Sequence, residues 1–168
     1  MIVYIIFLSL GTLLFFLHIF FSKKNYSALD KAELFLLYQL VFTVSLTSFL
    51  AFYGLNFMGQ YVADITNWPA CPFEELLGNV NFSYGVLGFL CIWIRGNFWV
   101  AVVLGQSIWL LADAVTHIKD MVKNNNYSSG NVGIPLIMDI AIPIYLLAAL
   151  GVYEYLKRKE NKTNLFHK

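Results

Sequence analysis

The sequence has few charged side chains for its length of 168 residues: 12% are Asp, Glu, Lys or Arg, whereas 59% are hydrophobic. A soluble domain of this size could not cover so much apolar surface with so little charge. A lipid bilayer is therefore the expected solvent, and the mean hydropathy of +0.66 agrees with it. The net charge is only +1, so the sequence does not indicate a nucleic acid as a partner.

Cysteine is also scarce, since the chain contains only Cys71 and Cys91. On one helical run, these two residues would lie about 30 Å apart at about 1.5 Å per residue. A disulfide requires Cα atoms within about 7 Å, so we expect no pairing within the chain. Two isolated cysteines carry no metal-binding pattern, and we interpret them as packing residues.

The common catalytic motifs are missing too. The sequence contains no G-x-S-x-G, no H-E-x-x-H, no P-loop and no C-x-x-C. A histidine with nearby carboxylates can carry out acid–base chemistry without such a motif. The sequence alone therefore leaves it undecided whether the protein is an enzyme.

Long apolar runs dominate what is present, and they predict an all-α integral membrane bundle of about five helices. The predicted helices are 1–22, 31–58, 73–94, 98–117 and 134–156. We expect residues 1–156 to form a single transmembrane domain and residues 157–168 to form a basic cytoplasmic tail. The first run is followed, not preceded, by Lys23 and Lys24, so it is expected to be a retained helix and not a cleaved signal. Pro143 predicts a kink in the last helix.

The basic residues are distributed unevenly along this topology. With five spans, one side holds Lys23, Lys24, Lys31, Arg95, Lys157, Arg158, Lys159, Lys162 and Lys168. The other side holds only Lys119 and Lys123. Because Lys and Arg collect on the cytoplasmic side, the C-terminus is predicted in the cytoplasm and the N-terminus outside, in the cell membrane.

A polar stripe ends the helix at 98–117. Asp113, His117 and Asp120 follow i, i+4, i+7 spacing and share one face, which Gln106 extends toward the membrane interior. In the predicted topology the starts of helices 73–94 and 134–156 meet this end. We therefore predict a ligand-binding pocket near the outer leaflet, formed by Glu75, Asn79, Asp113, His117 and Asp139.

Three interpretations of this cluster remain open. A carboxylate in the hydrocarbon costs roughly 2.5–3.5 kcal/mol even on a lenient scale, so Asp113 and Asp139 are expected to face the bundle. The polar groups can lock the helices together. Alternatively, His117, Glu75 and Asp139 can hold a divalent metal, the candidate cofactor, because mixed His and carboxylate ligands suit Zn, Fe or Mn. The third interpretation is a proton or ion relay, or a pocket for a polar small molecule.

Several short motifs lie between residues 66 and 145. They are a W-P…P-F…E element at residues 68–75, R-G-x-F-W at 95–99, His117 at the end of its helix, G-N-x-G at 130–133, and Asp139 early in the last helix. Together they resemble a family of small, uncharacterised prokaryotic integral membrane proteins, with a more distant likeness to DoxX-type proteins. The resemblance implies a helical membrane bundle and no established activity. Asp113 departs from it, because a small residue is expected there.

The predicted function is binding of a cation or a polar small ligand in this pocket. An accessory or assembly subunit of a membrane complex is one alternative, suggested by the small size and the Gly- and Ala-containing helix faces. A metal-dependent membrane enzyme that uses the same residues is another. Besides the bilayer, the candidate partners are a second copy of the chain and another membrane protein.

Overall fold

A computed structural model describes residues 2–166, and within them it contains helices and no strands. The helices are α1 (Ile2–Phe21), α2 (Ala28–Gln39), a π-helical segment (Leu40–Leu46), α3 (Thr47–Phe57), α4 (Gly59–Thr66), α5 (Phe73–Leu90), α6 (Asn97–Asn124) and α7 (Ile134–Phe166). Among the described residues, four helical stretches are long and apolar enough to cross a membrane: Val3–Phe21, Ala28–Phe57, Asn97–Asn124 and Ile134–Thr163. The predicted all-α membrane bundle is confirmed.

The fifth predicted span, 73–94, corresponds to α5, which is shorter than expected. It has 18 residues, a length of about 27 Å at about 1.5 Å per residue. Glu74 and Glu75 lie in its first turn, and it is not one of the four candidate spans. The count of five spans, and the orientation that depends on it, therefore stay predictions.

Three helix ends differ from the predicted ones. The second long helix begins at Ala28, because Ser27 and Asp30 form a reciprocal capping box with N···O distances of 3.0 Å. α6 continues seven residues beyond His117. α7 continues to Phe166, so residues 157–166 are helical, and their assignment to a cytoplasmic tail stays a prediction. Residues 167 and 168 lie outside the described part of the chain.

The π-helical segment joins α2 and α3 into one continuous helix and receives α5. Ser45 Oγ donates to the Gly85 carbonyl at 2.7 Å. A Cβ atom at Gly88 would lie 2.8 Å from the Leu40 carbonyl oxygen, so this close approach requires glycine. As a result, α5 packs on α3 and the π-helical segment, whereas α6 packs mainly on α7.

The apolar core lies where α2, the π-helical segment, α6 and α7 meet. Leu40, Trp99 and Leu146 are fully buried in it. The Trp99 indole also donates to the Cys91 carbonyl at 2.9 Å. Cys91 is buried as predicted, but Cys71 is exposed and therefore is not a packing residue; both are free.

The two ends of the bundle differ in charge. At one end, Arg95 forms an ion pair with Glu33, and the Trp99 ring lies 5.7 Å from the Tyr153 ring. These contacts bring the turn before α6, the start of α2 and the end of α7 together. That end carries most of the lysines and arginines. The opposite end holds α4 and the loop between α6 and α7, where the candidate site lies.

Candidate functional site

The loop after α6 is held by hydrogen bonds of its own side chains. α6 is capped at its C-terminus by Asn125, whose left-handed backbone has a φ of 51°, a conformation that asparagine tolerates. The next residue, Asn126, is buried; its Nδ2 donates to Asp120 Oδ2 at 2.6 Å and its Oδ1 accepts from Ser128 N at 3.1 Å. Asn131, which is fully buried, donates from Nδ2 to the Asn126 carbonyl at 2.8 Å. These bonds fix the path from α6 to α7.

The C-terminus of α4 is attached to this loop. The Thr66 carbonyl accepts from Ser128 Oγ and from Asn126 Nδ2, both at 2.7 Å. The backbone N–H of Gly130 donates to the Ile65 carbonyl at 3.0 Å. A Cβ atom at Gly130 would lie 2.5 Å from that carbonyl oxygen, so the contact requires glycine. The short helix α4 is thereby attached to the end of α6 and the start of α7.

Trp68, which follows α4, covers His117. The two rings are stacked, with centroids 5.0 Å apart and an interplanar angle of 20°, and only 8% of His117 is exposed. The Trp68 indole donates to Asp120 Oδ2 at 2.7 Å. Asp120 Oδ1 accepts from Asn124 Nδ2 at 2.6 Å. The Asp120 carboxylate therefore holds Trp68 in place over His117.

The tautomer of His117 follows from the bonds of Asn131. The Asn131 Nδ2 group donates to two backbone carbonyls, that of Asn126 and, at 3.4 Å, that of His117 itself. Its Oδ1 therefore faces His117 Nδ1, at 2.7 Å. Because an amide oxygen only accepts, the hydrogen of a neutral His117 must lie on Nδ1. The lone pair then lies on Nε2, which is 3.6 Å from Asp139 Oδ2.

His117 Nε2 and Asp139 Oδ2 consequently face each other at 3.6 Å. This distance exceeds that of a direct hydrogen bond, so there is space between the two groups for a proton or a small cation that both could bind. When neither is present, the pair presents a nitrogen lone pair beside a carboxylate.

Asp113 adds a second carboxylate one helical turn deeper on the same face of α6. It is partly buried and forms no hydrogen bond or ion pair among residues 2–166. Neither Asp113 nor Asp139 pairs with a Lys or Arg of the described chain. Deeper still, Gln106 Oε1 and Trp109 Nε1 are buried without a hydrogen-bond partner in that part of the protein. Two polar groups of the predicted stripe, the Asp113 carboxylate and Gln106 Oε1, therefore lack a partner within the described part of the chain.

The backbone carbonyl of Asp139 also lacks its helical hydrogen bond. In an α-helix its carbonyl would accept from the N–H of residue 143. Pro143, inside α7 and fully buried, has no N–H. One residue thus contributes a carboxylate and a backbone carbonyl that lacks its helical donor.

The structure does not bring Glu75 and Asn79 to this cluster. Both are exposed on α5, and Glu75 lines a separate cavity of about 340 Å³ with Asn56 and Gln60. The physical reason is that α5 packs on α3, whereas α6 packs on α7. No group of three His, Cys, Asp or Glu residues that could hold a metal forms among residues 2–166, so His117, Glu75 and Asp139 are not assembled as metal ligands. Ligand binding at the five predicted positions stays a prediction.

Sequence reasoning missed the residues that build the surroundings of His117. These are Trp68, Asn126 and Asn131. The last belongs to the G-N-x-G motif and Trp68 to the W-P element, so both motifs contribute to the site. The contact between these two parts of the chain could not be predicted from the sequence. It depends on bonds such as that between Asn126 and Thr66, which are 60 positions apart.

The fold and these contacts define a multi-pass helical membrane protein with a buried pair of histidine and carboxylate. The chain belongs to a family of unknown function, DUF6790, whose model matches residues 1–159. The predicted membership in an uncharacterised family is thereby confirmed, whereas the likeness to DoxX-type proteins stays a prediction. No curated protein and no solved structure matches the chain.

Proposed function

We propose that this protein binds a small cation at the pair of His117 and Asp139, in exchange for a proton. One observation carries the proposal: Asn131 fixes the hydrogen on His117 Nδ1, so the Nε2 lone pair faces the Asp139 carboxylate. An imidazole nitrogen with carboxylate oxygens is a donor set that suits Zn²⁺ and Mn²⁺. The Asp139 carbonyl, which lacks its helical donor because residue 143 is proline, is the candidate for a further oxygen ligand.

Charge balance supports a positively charged occupant. An ionised carboxylate in apolar surroundings is costly unless a partner neutralises it. Asp113 and Asp139 have no Lys or Arg partner in the described chain, so protons or a bound cation must supply the positive charge. Because both occupants need the same lone pair and carboxylates, lowering the pH is expected to weaken cation binding.

Access to the pair depends on the cover formed by α4 and Trp68. The site lies at the end of the bundle opposite the concentration of lysines and arginines. If that basic end faces the cytoplasm, as the distribution of Lys and Arg predicts, the site opens toward the outside of the cell membrane. Cations would then be taken up from the extracytoplasmic solution.

The test is calorimetric titration of the full chain in lipid nanodiscs with ZnCl2 and, separately, MnCl2, at pH 7.5 and pH 6.0. We expect saturable binding of at least one ion, weaker at the lower pH. Asp139→Asn should weaken binding by at least about tenfold, since it removes a charged ligand worth about 1.4 kcal/mol or more. The matched control is Glu75→Gln, which removes an exposed carboxylate from the same end.

Two results would overturn the proposal. The first is a wild-type protein that binds neither ion saturably at pH 7.5. The second is an Asp139→Asn variant that binds as tightly as the wild type. If instead Glu75→Gln weakens binding as much as Asp139→Asn, the ligand set predicted from the sequence replaces the one proposed above.

A further inference from the structure

A groove on the lipid-facing side of the bundle lies between α2 and α7. It has a cavity volume of about 250 Å³ and is lined by Ala32, Phe35, Tyr145, Ala148, Ala149 and Val152. The one polar group in that set, the Tyr145 hydroxyl, already shares a hydrogen bond of 3.0 Å with Thr12 Oγ1. The groove therefore offers apolar contact and no polar group in need of a partner.

Two lysines lie just beyond the groove, on the side that is nearer to the basic end of the bundle. Lys31 precedes Phe35 by four residues and so lies one turn away on the same face of α2. Lys159 follows Val152 by seven residues, two turns farther along the same face of α7 and about 10 Å away. Both lysines are exposed. Lys159 lies on this face because α7 continues as a helix past residue 156.

These two lysines are not neutralised by nearby acids. Three other cations at this end form ion pairs: Lys24 with Asp30, Arg95 with Glu33, and Lys157 with Glu154. Within residues 2–166, Lys31 and Lys159 form none, and neither do Lys23 and Arg158, which lie away from the groove faces. An apolar groove that ends between two uncompensated cations at a membrane interface matches an amphiphile with an anionic head.

We infer that this groove binds an anionic phospholipid, with one acyl chain along Ala148 and Val152 and the headgroup phosphate between Lys31 and Lys159. The long lysine side chains reach the headgroup level while their stems stay on apolar surface. A second copy of the chain fits less well, because side-by-side packing along this groove would place both pairs of lysines together. The inference does not depend on the proposed cation site.

The test uses native mass spectrometry of the full chain in detergent, titrated with dioleoyl phosphatidylglycerol or dioleoyl phosphatidylcholine. We expect one phosphatidylglycerol to bind at least about tenfold more tightly than phosphatidylcholine. Each interfacial lysine contributes about fivefold, so Lys31→Gln with Lys159→Gln should weaken phosphatidylglycerol binding about 25-fold. The control pair, Lys23→Gln with Arg158→Gln, removes the same charge away from the groove faces and should change it less than about twofold.

Equal affinities for the two lipids would overturn the inference, and so would a control pair that loses as much affinity as the groove pair. A second variant, Ala148→Phe, tests the groove itself. Ala148 is exposed, so the larger ring should leave folding intact, which circular dichroism and gel filtration would verify. A folded Ala148→Phe variant that binds phosphatidylglycerol as tightly as the wild type would contradict an acyl chain in this groove.

Discussion

Replacing Asn131 with alanine is the sharpest test of the contacts around His117. The substitution removes the bond of 2.8 Å to the Asn126 carbonyl, worth about 1 kcal/mol net. It also removes the acceptor at 2.7 Å from His117 Nδ1. A buried donor left without a partner costs about 1–3 kcal/mol. Since Asn131 is fully buried, water does not easily replace the lost amide, and we expect a destabilisation of about 2–4 kcal/mol.

The assay for Asn131→Ala is thermal unfolding in nanodiscs. For a chain of this size, each kcal/mol shifts the apparent Tm by about 2–4 °C, which predicts a drop of roughly 4–16 °C. The control, Asn79→Ala, alters an exposed amide on α5 and should stay within about 0.5 kcal/mol of the wild type. Nitrogen NMR of labelled histidine should show the Nδ1–H tautomer in the wild type and lose that preference in the variant. An Asn131→Ala protein with unchanged Tm and tautomer would refute the assignment of the Nε2 lone pair.

Two further substitutions test separately the role of Trp68, which covers His117, and the role of the proposed cation ligands. Trp68→Phe keeps an aromatic ring over His117 but loses the charged hydrogen bond to Asp120, so the Tm should fall. A Tm equal to that of the wild type in the same thermal scan would show that the bond contributes nothing. Pro143→Ala restores the N–H donor for the Asp139 carbonyl, so cation affinity measured by calorimetry should fall severalfold. Its Tm should not fall, because proline inside a helix costs about 3 kcal/mol, and an unchanged affinity would exclude the carbonyl as a ligand.

The membrane helices were predictable because a helix that crosses a bilayer needs a long apolar run, and because helical structure satisfies the backbone hydrogen bonds of that run internally. The helix faces were harder to predict. Within one helix, spacing alone placed Asp113 and His117 on the same face, and topology alone brought Asp139 to their end. Glu75 failed to join them because α5 packs mainly on α3 and the π-helical segment, whereas α6 packs mainly on α7. A wide turn at Leu40–Leu46 shifts which residues face a neighbour, and apolar periodicity does not reveal it.

The loop residues of the site were not predictable for a different reason. Asn126 and Asn131 stand in a polar stretch that composition alone describes only as a loop. Their roles arise from bonds to the end of α4, which is distant in sequence and near in space. Tertiary contacts of this kind carry no local pattern.

The direction of the His117 proton distinguishes a structural histidine from a ligand. A histidine that only locks the bundle would have both ring nitrogens engaged at hydrogen-bond distance, as His18 does with the hydroxyls of Tyr38 at 3.0 Å and Tyr26 at 2.9 Å. His117 has one nitrogen bound at 2.7 Å and the other 3.6 Å from a carboxylate. The first contact fixes the ring, and the second leaves His117 Nε2 and the Asp139 carboxyl group without a direct hydrogen bond between them. That combination favours an exchangeable occupant over a purely structural lock.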